Sequence, residues 1–355
     1  MKRPVPKYIL AKNYIKQAIK DHKFRDKLPG ERTLADQLGF SYMTVRKAVD
    51  NLTAEGILYK IPTKGSFVNN ENRGAKRTKT IGYFLDSGIE SGISSPYYSL
   101  IFNAIEKEAA KNDYSVTYFS DVDENRLCKI LLKLDGVIAT CFPRVEDAIM
   151  EMKLRVPVVV IDNSSKDKTI PSVVIDNFNA DVEAVDYICS LGHKRIGFIT
   201  GLEDSSIGKH RYAGYFYGLN KNSIKLDKSL IYRGNYSYEA GTSGAKYFIS
   251  LDELPTAIIC ANDSMALGAI KKLKQEGFNI PEDISIVGFD NIEVASQIVP
   301  ALTTIVAPID KIAKSAFDML EGLIQGKKPE YRHITLAASL AIRESCTRLI
   351  KKAVV

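Results

Sequence analysis

Four pairs of polar residues in the C-terminal three quarters of the chain each follow a short run of apolar residues. The runs are the length of buried strands and are bounded by turn-forming residues, which predicts strands of a parallel sheet. In open α/β sheets, ligands bind in the crevice outside the carboxyl ends of such strands. Carboxylates and amides gathered there can hydrogen-bond several hydroxyl groups of one small molecule. The pairs are Asp162-Asn163, Asp176-Asn177, Asn262-Asp263 and Asp290-Asn291.

A structural alternative exists for each of these residues, because Asp and Asn commonly cap the helix that follows a strand. For a single position the two interpretations are about equally good, but several such residues converging on one crevice favour a ligand. Two tyrosines and an arginine could complete the pocket, since aromatic faces cover apolar ring surfaces. The candidate effector-binding residues at this point are therefore the four pairs together with Tyr97, Tyr98 and Arg211.

A second kind of chemistry is indicated near the N-terminus, by the residues from Ser41 to Lys47. They open a helical pattern that follows another short helix ended by Gly39, as in a helix-turn-helix, whose second helix enters the major groove of DNA. Ser41 and Thr44 can contact phosphates, and Arg46 can contact guanine, worth about 1–3 kcal/mol of base discrimination. The alternative is that Arg46 and Lys47 are simply solvated.

The distribution of charge favours the nucleic-acid interpretation. Residues 1–79 contain 18 lysines and arginines against 7 acidic residues, whereas residues 80–355 contain 31 against 35. A basic N-terminal segment on a mildly acidic body is typical of proteins that contact nucleic acid.

The elements around these residues predict two domains. Helices over 6–22, Glu31–Leu38 and from Ser41 to before Gly56, then two short strands over 57–60 and 66–68, indicate an α+β winged helix-turn-helix domain over residues 1–70. Residues 71–79 are polar and without periodicity, which indicates a linker. From Thr80 onward strands and helices alternate, and about 275 residues exceed one such sheet, so two α/β lobes are expected. Apolar runs predict eight strands in this part, over Thr80–Leu85, Tyr114–Phe119, Gly136–Ala139, Val158–Ile161, Ser172–Ile175, Arg195–Ile199, Ala257–Cys260 and Ser285–Gly288.

Several function classes lack support in the sequence. There is no G-x-G-x-x-G after the first strand and no G-x-S-x-G, and the segment Gly201–Lys209 lacks the glycine spacing of a phosphate loop. We therefore predict a protein that is not an enzyme and needs no cofactor. The five cysteines and four histidines are dispersed, which predicts no metal site and a reduced, cytoplasmic protein. No apolar stretch is long enough for a membrane span.

The N-terminal segment resembles the DNA-binding head of the GntR family over about residues 7–68. The resemblance rests on Leu28–Arg32, Thr44–Ala48, Glu55–Leu58 and Gly65–Val68. It implies DNA contacts by Arg32, Thr44 and Arg46. Tyr42 stands where the family commonly has Arg, and Thr63 stands where the wing usually has its first Gly. The predicted DNA-binding residues are Lys7, Arg32, Ser41, Tyr42, Thr44, Arg46, Lys47, Lys64 and Gly65.

The larger part resembles the periplasmic-binding-protein-like sensor of the LacI family, from about Thr80 to Ser345. The strongest signatures are Leu191–Ile196, Arg211–Gly214, Ala261–Gly268, Ile280–Asp290 and Pro300–Thr304. The resemblance implies two parallel-sheet lobes joined by three crossovers around a small ligand, often a sugar. It implies lobe 1 at about 80–177 and 307–333, and lobe 2 at about 178–306 and 334–350. The resemblance implies ligand roles for Asp162, Arg211, Asn262 and Asp290, and less directly for Tyr97. With Tyr98 as a further candidate, the predicted effector-binding residues are Tyr97, Tyr98, Asp162, Arg211, Asn262 and Asp290.

Together the two parts predict a ligand-responsive bacterial transcription regulator of the arabinose-repressor-like type, with repression of a carbohydrate-utilisation operon as its role. Its expected partners are double-stranded operator DNA, a small-molecule effector of the sugar class, and a second copy of the chain on a palindromic site. The alternative is a sugar-binding protein with no DNA role. The sequence leaves open the operator, the effector, and whether the effector releases or tightens DNA binding.

Overall fold

The computed structural model describes residues 6–349 except 22, 25, 26, 56, 62–64, 69–77, 90, 121–123 and 141. The chain forms an N-terminal head, ending at Val68, and a sensor domain that begins at Thr80. The predicted wing-tip residues Thr63 and Lys64, and residues 71–77 of the predicted linker, lie outside the described residues.

The head consists of three helices and a two-stranded antiparallel sheet. Its elements are α1 (Lys7–Lys20), α2 (Glu31–Leu38), α3 (Tyr42–Ala54), β1 (Leu58–Ile61) and β2 (Gly65–Val68). Helix α2 ends because Gly39 adopts φ +67°, a left-handed conformation that glycine tolerates. Helix α3 begins where the Ser41 side chain accepts a hydrogen bond from the Thr44 backbone N–H. This is the predicted winged helix-turn-helix.

The core of the head is built on one face of α3. Val45, Ala48, Val49 and Leu52 recur at helical spacing and are all fully buried, together with Ile15 of α1. Burial of each larger side chain contributes about 1.5–3 kcal/mol. Because these residues bind the helix to the rest of the head, the opposite face of α3 is left for solvent or a partner.

Lobe 1 of the sensor contains a six-stranded, wholly parallel sheet in the order β4-β3-β5-β6-β7-β13. Among its helices, α11 packs against α4 and against four of the strands, β5, β6, β7 and β13. The elements are β3 (Thr80–Phe84), α4 (Pro96–Ala110), β4 (Ser115–Phe119), α5 (Glu124–Leu131), β5 (Gly136–Thr140), α6 (Glu146–Lys153), β6 (Val158–Ile161), β7 (Ser172–Ile175), α11 (Ile309–Ile324) and β13 (His333–Leu336).

Lobe 2 contains a second six-stranded sheet in the order β9-β8-β10-β11-β12-β14, in which β14 is antiparallel to β12 and the other pairs are parallel. Helix α7 packs on α8, and α9 packs on α10. The elements are α7 (Asn177–Ser190), β8 (Ile196–Ile199), α8 (Ser206–Lys221), β9 (Ile231–Tyr232), α9 (Tyr238–Ile249), β10 (Ala257–Cys260), α10 (Asp263–Gln275), β11 (Ser285–Asp290), β12 (Thr303–Val306) and β14 (Ser339–Ala341).

Glycine allows α9 and α10 to approach each other closely. A Cβ atom on Gly241 would lie 1.9 Å from the backbone oxygen of Met265, and one on Gly268 would lie 2.1 Å from the backbone oxygen of Tyr238. Neither backbone oxygen can move as a flexible side chain could. The close packing of α9 against α10 therefore requires glycine at both positions.

The chain crosses between the lobes three times, after β7, after β12 and after β13. The predicted fold class, a winged helix-turn-helix joined to a two-lobed α/β domain with parallel sheets and three crossovers, is confirmed. One predicted boundary was wrong by a few residues. We expected lobe 2 to resume at residue 334, but β13 pairs with β7 in register from His333 to Leu336, so lobe 1 extends to Leu336.

The eight strands predicted from apolar runs are all present, and four others, β9, β12, β13 and β14, carry no such run. None of the described helices is long and apolar enough to cross a membrane.

Candidate effector and DNA sites

A cavity of ≈ 610 Å³ lies between the two lobes of the sensor. The carboxyl ends of β6 in lobe 1 and of β10 and β11 in lobe 2 face it, as expected for sheets of this kind. All six residues predicted to bind the effector line this one cavity. Tyr97, Tyr98 and Asp162 come from lobe 1, and Arg211, Asn262 and Asp290 come from lobe 2.

Asp162 follows directly after β6 and points its carboxylate into the cavity. Its backbone has φ +68°, an unusual conformation for a residue with a Cβ. The Tyr97 hydroxyl donates a 2.8 Å hydrogen bond to Oδ1, while Oδ2 has no hydrogen-bond partner among the described residues. Only 4% of Asp162 is exposed, and burial raises the pKa of its carboxyl to about 6, against the opposing effects of Tyr97 and Arg211.

Asp290 is the corresponding residue of lobe 2, at the end of β11. Its φ is +108° and that of the next residue, Asn291, is +60°, so the backbone holds two side-chain-bearing residues in left-handed conformations. Such strain costs of order 1–3 kcal/mol per residue and is concentrated at functional sites. Burial raises the pKa of the Asp290 carboxyl well above its usual range, and Arg211 opposes that rise.

Arg211, on α8, is held in a fixed position by four contacts. Its Nε donates to Asn177 Oδ1 at 2.8 Å, its Nη1 donates to the backbone oxygen of Ala261, and its guanidinium lies 3.4 Å from the ring centroid of Phe289. Its Nη2 lies 3.7 Å from Asp290 Oδ1. Burial lowers the pKa of Arg211, but neighbouring carboxylates, Asp290 first, raise it overall, so the charge is retained.

The capping alternative holds for some of the strand-end residues and fails for others. Asn262 caps α10 by accepting from Met265 N–H at 2.9 Å, and its amide also donates to the backbone oxygen of Tyr236. Asp176 caps α7 through Asn179 N–H. Asp162 and Asp290 make no cap, so their side chains are available to a ligand.

Sequence reasoning missed an ion pair at the lobe 1 side of the cavity. Arg144 Nε donates to both oxygens of Asp86, at 2.7 and 2.8 Å, and Asp86 is fully buried. Asp86 follows the first strand of lobe 1 as Asp162 follows β6, so the strand-end rule could have identified it. Arg144 lies on a short 3-10 helix over Pro143–Val145, where no sequence signal marks it.

In the head, the predicted DNA-contacting side chains lie on exposed surface at the start of α3 and beside it. Arg46 and Lys47 are exposed on α3, Lys7 is exposed at the start of α1, and Gly65 begins β2 with φ +108°. Arg32 of α2 lies over the ring of Tyr42, 5.9 Å from its centroid. The hydroxyls of Ser41 and Thr44 bond each other at 2.8 Å.

The basic residues of the head divide into two groups. Lys12 and Lys16 form ion pairs with Glu55, and Lys60 forms ion pairs with Glu31 and Asp50. Arg46 forms no ion pair with any residue that the structure describes. The positive charge of Arg46 therefore remains available to a partner.

Within the described part of the chain, no group of three His, Cys, Asp or Glu side chains is arranged to hold a metal ion. The cysteines described, Cys189, Cys260 and Cys346, are unpaired thiols.

Comparison with known proteins decides the family. Residues 8–68 match the family model described as bacterial regulatory proteins, gntR family, and residues 185–346 match the periplasmic binding protein-like domain. The HTH-type transcriptional repressor CytR of Escherichia coli (strain K12) is 34% identical over 264 residues, covering 72% of this chain and 77% of that protein. The chain belongs to the LacI family.

This LacI-family regulator has further relatives. The HTH-type transcriptional repressor PurR of Shigella dysenteriae serotype 1 (strain Sd197) is 30% identical over 277 residues, which are 76% of this chain and 80% of that protein. A solved structure, the transcriptional regulator CelR–cellobiose complex, shares the fold with a TM-score of 0.69 and 21% identity, over 90% of this chain and all of that one.

The relatives confirm the predicted class of function. They are transcription repressors and not enzymes, which confirms a ligand-responsive transcription repressor and does not favour a sugar-binding protein without a DNA role. DNA and a small molecule are accordingly partners of the LacI-family regulator described here.

Proposed function

We propose that this chain represses a carbohydrate-utilisation operon in the cytoplasm. It binds a palindromic operator as a homodimer, and a sugar in the cavity of the sensor alters its affinity for DNA. The observation that carries the proposal is the convergence of six polar and aromatic side chains from both lobes on one cavity, in a chain that also has a gntR-type head.

The lining of the cavity supports a polyhydroxylated effector. Asp162, Asp290 and Arg211 supply hydrogen-bond acceptors and donors, and Tyr97 and Tyr98 supply aromatic faces for apolar ring surfaces. The volume of ≈ 610 Å³ is ample for a mono- or disaccharide. A protein of the same fold was solved as a cellobiose complex, which agrees with this class of effector.

The proposed DNA contacts rest on the exposed residues of the head. In this proposal Arg46 reads a base, and Arg32, Ser41, Thr44, Lys47 and Lys7 contact phosphates. Tyr42 takes the place of a basic residue and orients Arg32 through their stacking contact. Gly65, with the neighbouring Lys64, is the proposed wing contact.

Coupling between the two functions follows from the lobes. An effector that bridges Asp162 of lobe 1 and Asp290 of lobe 2 favours one relative arrangement of the lobes. In a twofold-symmetric dimer, that arrangement sets the spacing of the two heads on an inverted repeat. A coupling free energy of about 1–3 kcal/mol would change DNA affinity by about 5–150-fold.

The proposal is tested by selecting duplexes from random sequence with the full chain, then measuring affinity with and without sugars by fluorescence anisotropy. We expect the selected sequences to contain an inverted repeat, and one or more sugars to change affinity at least fivefold. Failure to select any sequence, or selection of sites without twofold symmetry, would refute the operator part. Unchanged affinity with every sugar that binds the sensor would refute the coupling.

A further inference from the structure

The charges that line the sensor cavity do not balance. Among the residues that the structure describes, five charged side chains line it: Arg144, Arg211, Asp162, Glu239 and Asp290. Arg144 is already paired with the buried carboxylate of Asp86, and Arg211 faces Asp290 at 3.7 Å. Asp162 and Glu239 have no ion-pair partner among the described residues, so the two arginines and three carboxyl groups give the described lining a formal net charge of −1 when all five are ionised.

Asp162 is the buried carboxyl group among those without an ion-pair partner, and it accepts a hydrogen bond from its surroundings. The Tyr97 hydroxyl donates to Oδ1, and burial raises the pKa of the carboxyl to about 6 while Tyr97, Arg211 and Tyr98 oppose that rise, so the carboxyl is largely ionised at pH 7.5. Oδ2 is buried and lacks a hydrogen-bond partner within the described structure, and Asp162 is among the residues that line the cavity. A buried charged acceptor without a partner is destabilising, so an incoming donor would gain free energy there.

A neutral hydroxyl and a protonated amine would satisfy Oδ2 differently. A hydroxyl supplies a hydrogen bond but leaves the negative charge uncompensated, whereas an ammonium group supplies both a hydrogen bond and the opposite charge. The aromatic side chains favour the cation as well, because ring faces attract ammonium groups. Tyr97 and Tyr98 pack edge to face at 5.1 Å beside Asp162, and Phe142, Tyr236 and Tyr238 also line the cavity.

We propose that the effector carries a protonated primary amine on a polyhydroxylated frame, as an amino sugar does, and that its ammonium group binds Oδ2 of Asp162. The proposal rests on the proposed function, since it assigns the chemical class of the effector in the same cavity. Arg211 and Asp290 then contact the hydroxyl groups of the frame, on the lobe 2 side.

The test compares matched pairs of sugars on the full chain by isothermal titration calorimetry at pH 7.5. The pairs are D-glucosamine with D-glucose, D-galactosamine with D-galactose, and D-mannosamine with D-mannose. We expect at least one amine to bind ten times or more as tightly as its parent hexose. Asp162→Asn, which keeps the shape and removes the charge, should abolish that preference. Asp252→Asn, an identical change on the exposed surface of lobe 2, should preserve it.

Three results would overturn the proposal: parent hexoses that bind as tightly as the amines in every pair, a panel in which nothing binds, or an amine preference that survives Asp162→Asn. The comparison within the unaltered protein needs no variant, so it stands even where Asp162→Asn does not fold. The same preparation is also used to select DNA from random duplexes. Specific DNA selection without an amine preference would refute only the amine, whereas failure to select DNA would refute the proposed function itself.

Discussion

Replacing Asp290 by glycine and by alanine separates two roles of this residue, its carboxylate and its backbone. Asp290 has φ +108°, a conformation that glycine adopts freely and that alanine, like aspartate, adopts only with strain. Both replacements remove the same carboxylate from beside Arg211 and leave the positive charge of the arginine less compensated. The resulting loss of stability is the same in both variants, so it cancels when the two are compared.

The expected difference in stability can be worked from the backbone. Relief of strain at a left-handed position gives glycine about 1–3 kcal/mol over alanine. The greater freedom of glycine in the unfolded chain removes about 0.5–1 kcal/mol of that gain. We therefore expect Asp290→Gly to be more stable than Asp290→Ala by about 1 kcal/mol, which corresponds to a rise in Tm of about 2 °C for a domain of this size.

Differential scanning calorimetry of both variants measures the difference, and calorimetric titration with an effector sugar measures the second role. Both variants should lose effector binding while DNA binding by the head is retained. A Gly variant that is no more stable than the Ala variant would show that the left-handed backbone at this position stores no strain. Normal effector binding in either variant would remove the Asp290 carboxylate from the effector site.

Three further predictions concern other parts of the molecule. Arg46→Ala should weaken binding to a selected duplex by at least tenfold, about 1.4 kcal/mol, as measured by fluorescence anisotropy. The control is Arg233→Ala, which removes an exposed arginine of the sensor. Equal DNA affinity in the two variants would exclude Arg46 from the interface. The affinity for an amino sugar should fall as pH drops through about 6, because protonation of Asp162 removes the charge that attracts the ammonium group; a flat titration from pH 5 to pH 8 would contradict this. The titratable and charged groups facing Asp162 are Tyr83, Tyr97, Tyr98, Arg211 and Asp290. Gly268→Ala should destabilise the sensor by about 1–3 kcal/mol in urea denaturation, because the added methyl meets backbone at 2.1 Å, and Gly322→Ala, where nothing lies within 4 Å, should not.

Local signals in the sequence were sufficient for the head and for most of the sheet strands. The bounds of α2, the left-handed Gly39 and the Ser41 cap depend on interactions within a few residues, so the pattern of residues specifies them. The eight apolar runs became strands because a parallel sheet with helices on both faces buries both sides of each strand. The position of the effector cavity followed from the same rule about strand ends.

Short edge strands could not be predicted from apolar runs. Strand β13 alternates between exposed and partly buried residues, β14 has three residues of which none is fully buried, and β9 has only two residues, so none of them forms a buried apolar run. Each is a strand because a neighbouring strand offers it hydrogen bonds. This explains why the predicted crossover at residue 334 was early, since only the pairing of β13 with β7 assigns these residues to lobe 1.

The sequence by itself determined which residues are polar at the ends of buried strands, and hence which could serve a ligand. Only the tertiary structure decided what each of them does, because a cap is local while a ligand contact requires two lobes to meet. Asn262 uses its amide within its own lobe, whereas Asp162 keeps one carboxylate oxygen without a partner in the described structure. The pairing of Arg144 with Asp86, 58 residues earlier in the chain, was likewise fixed by the fold. The charge balance of a buried cavity depends on residues that are distant in sequence and that only the folded chain brings together.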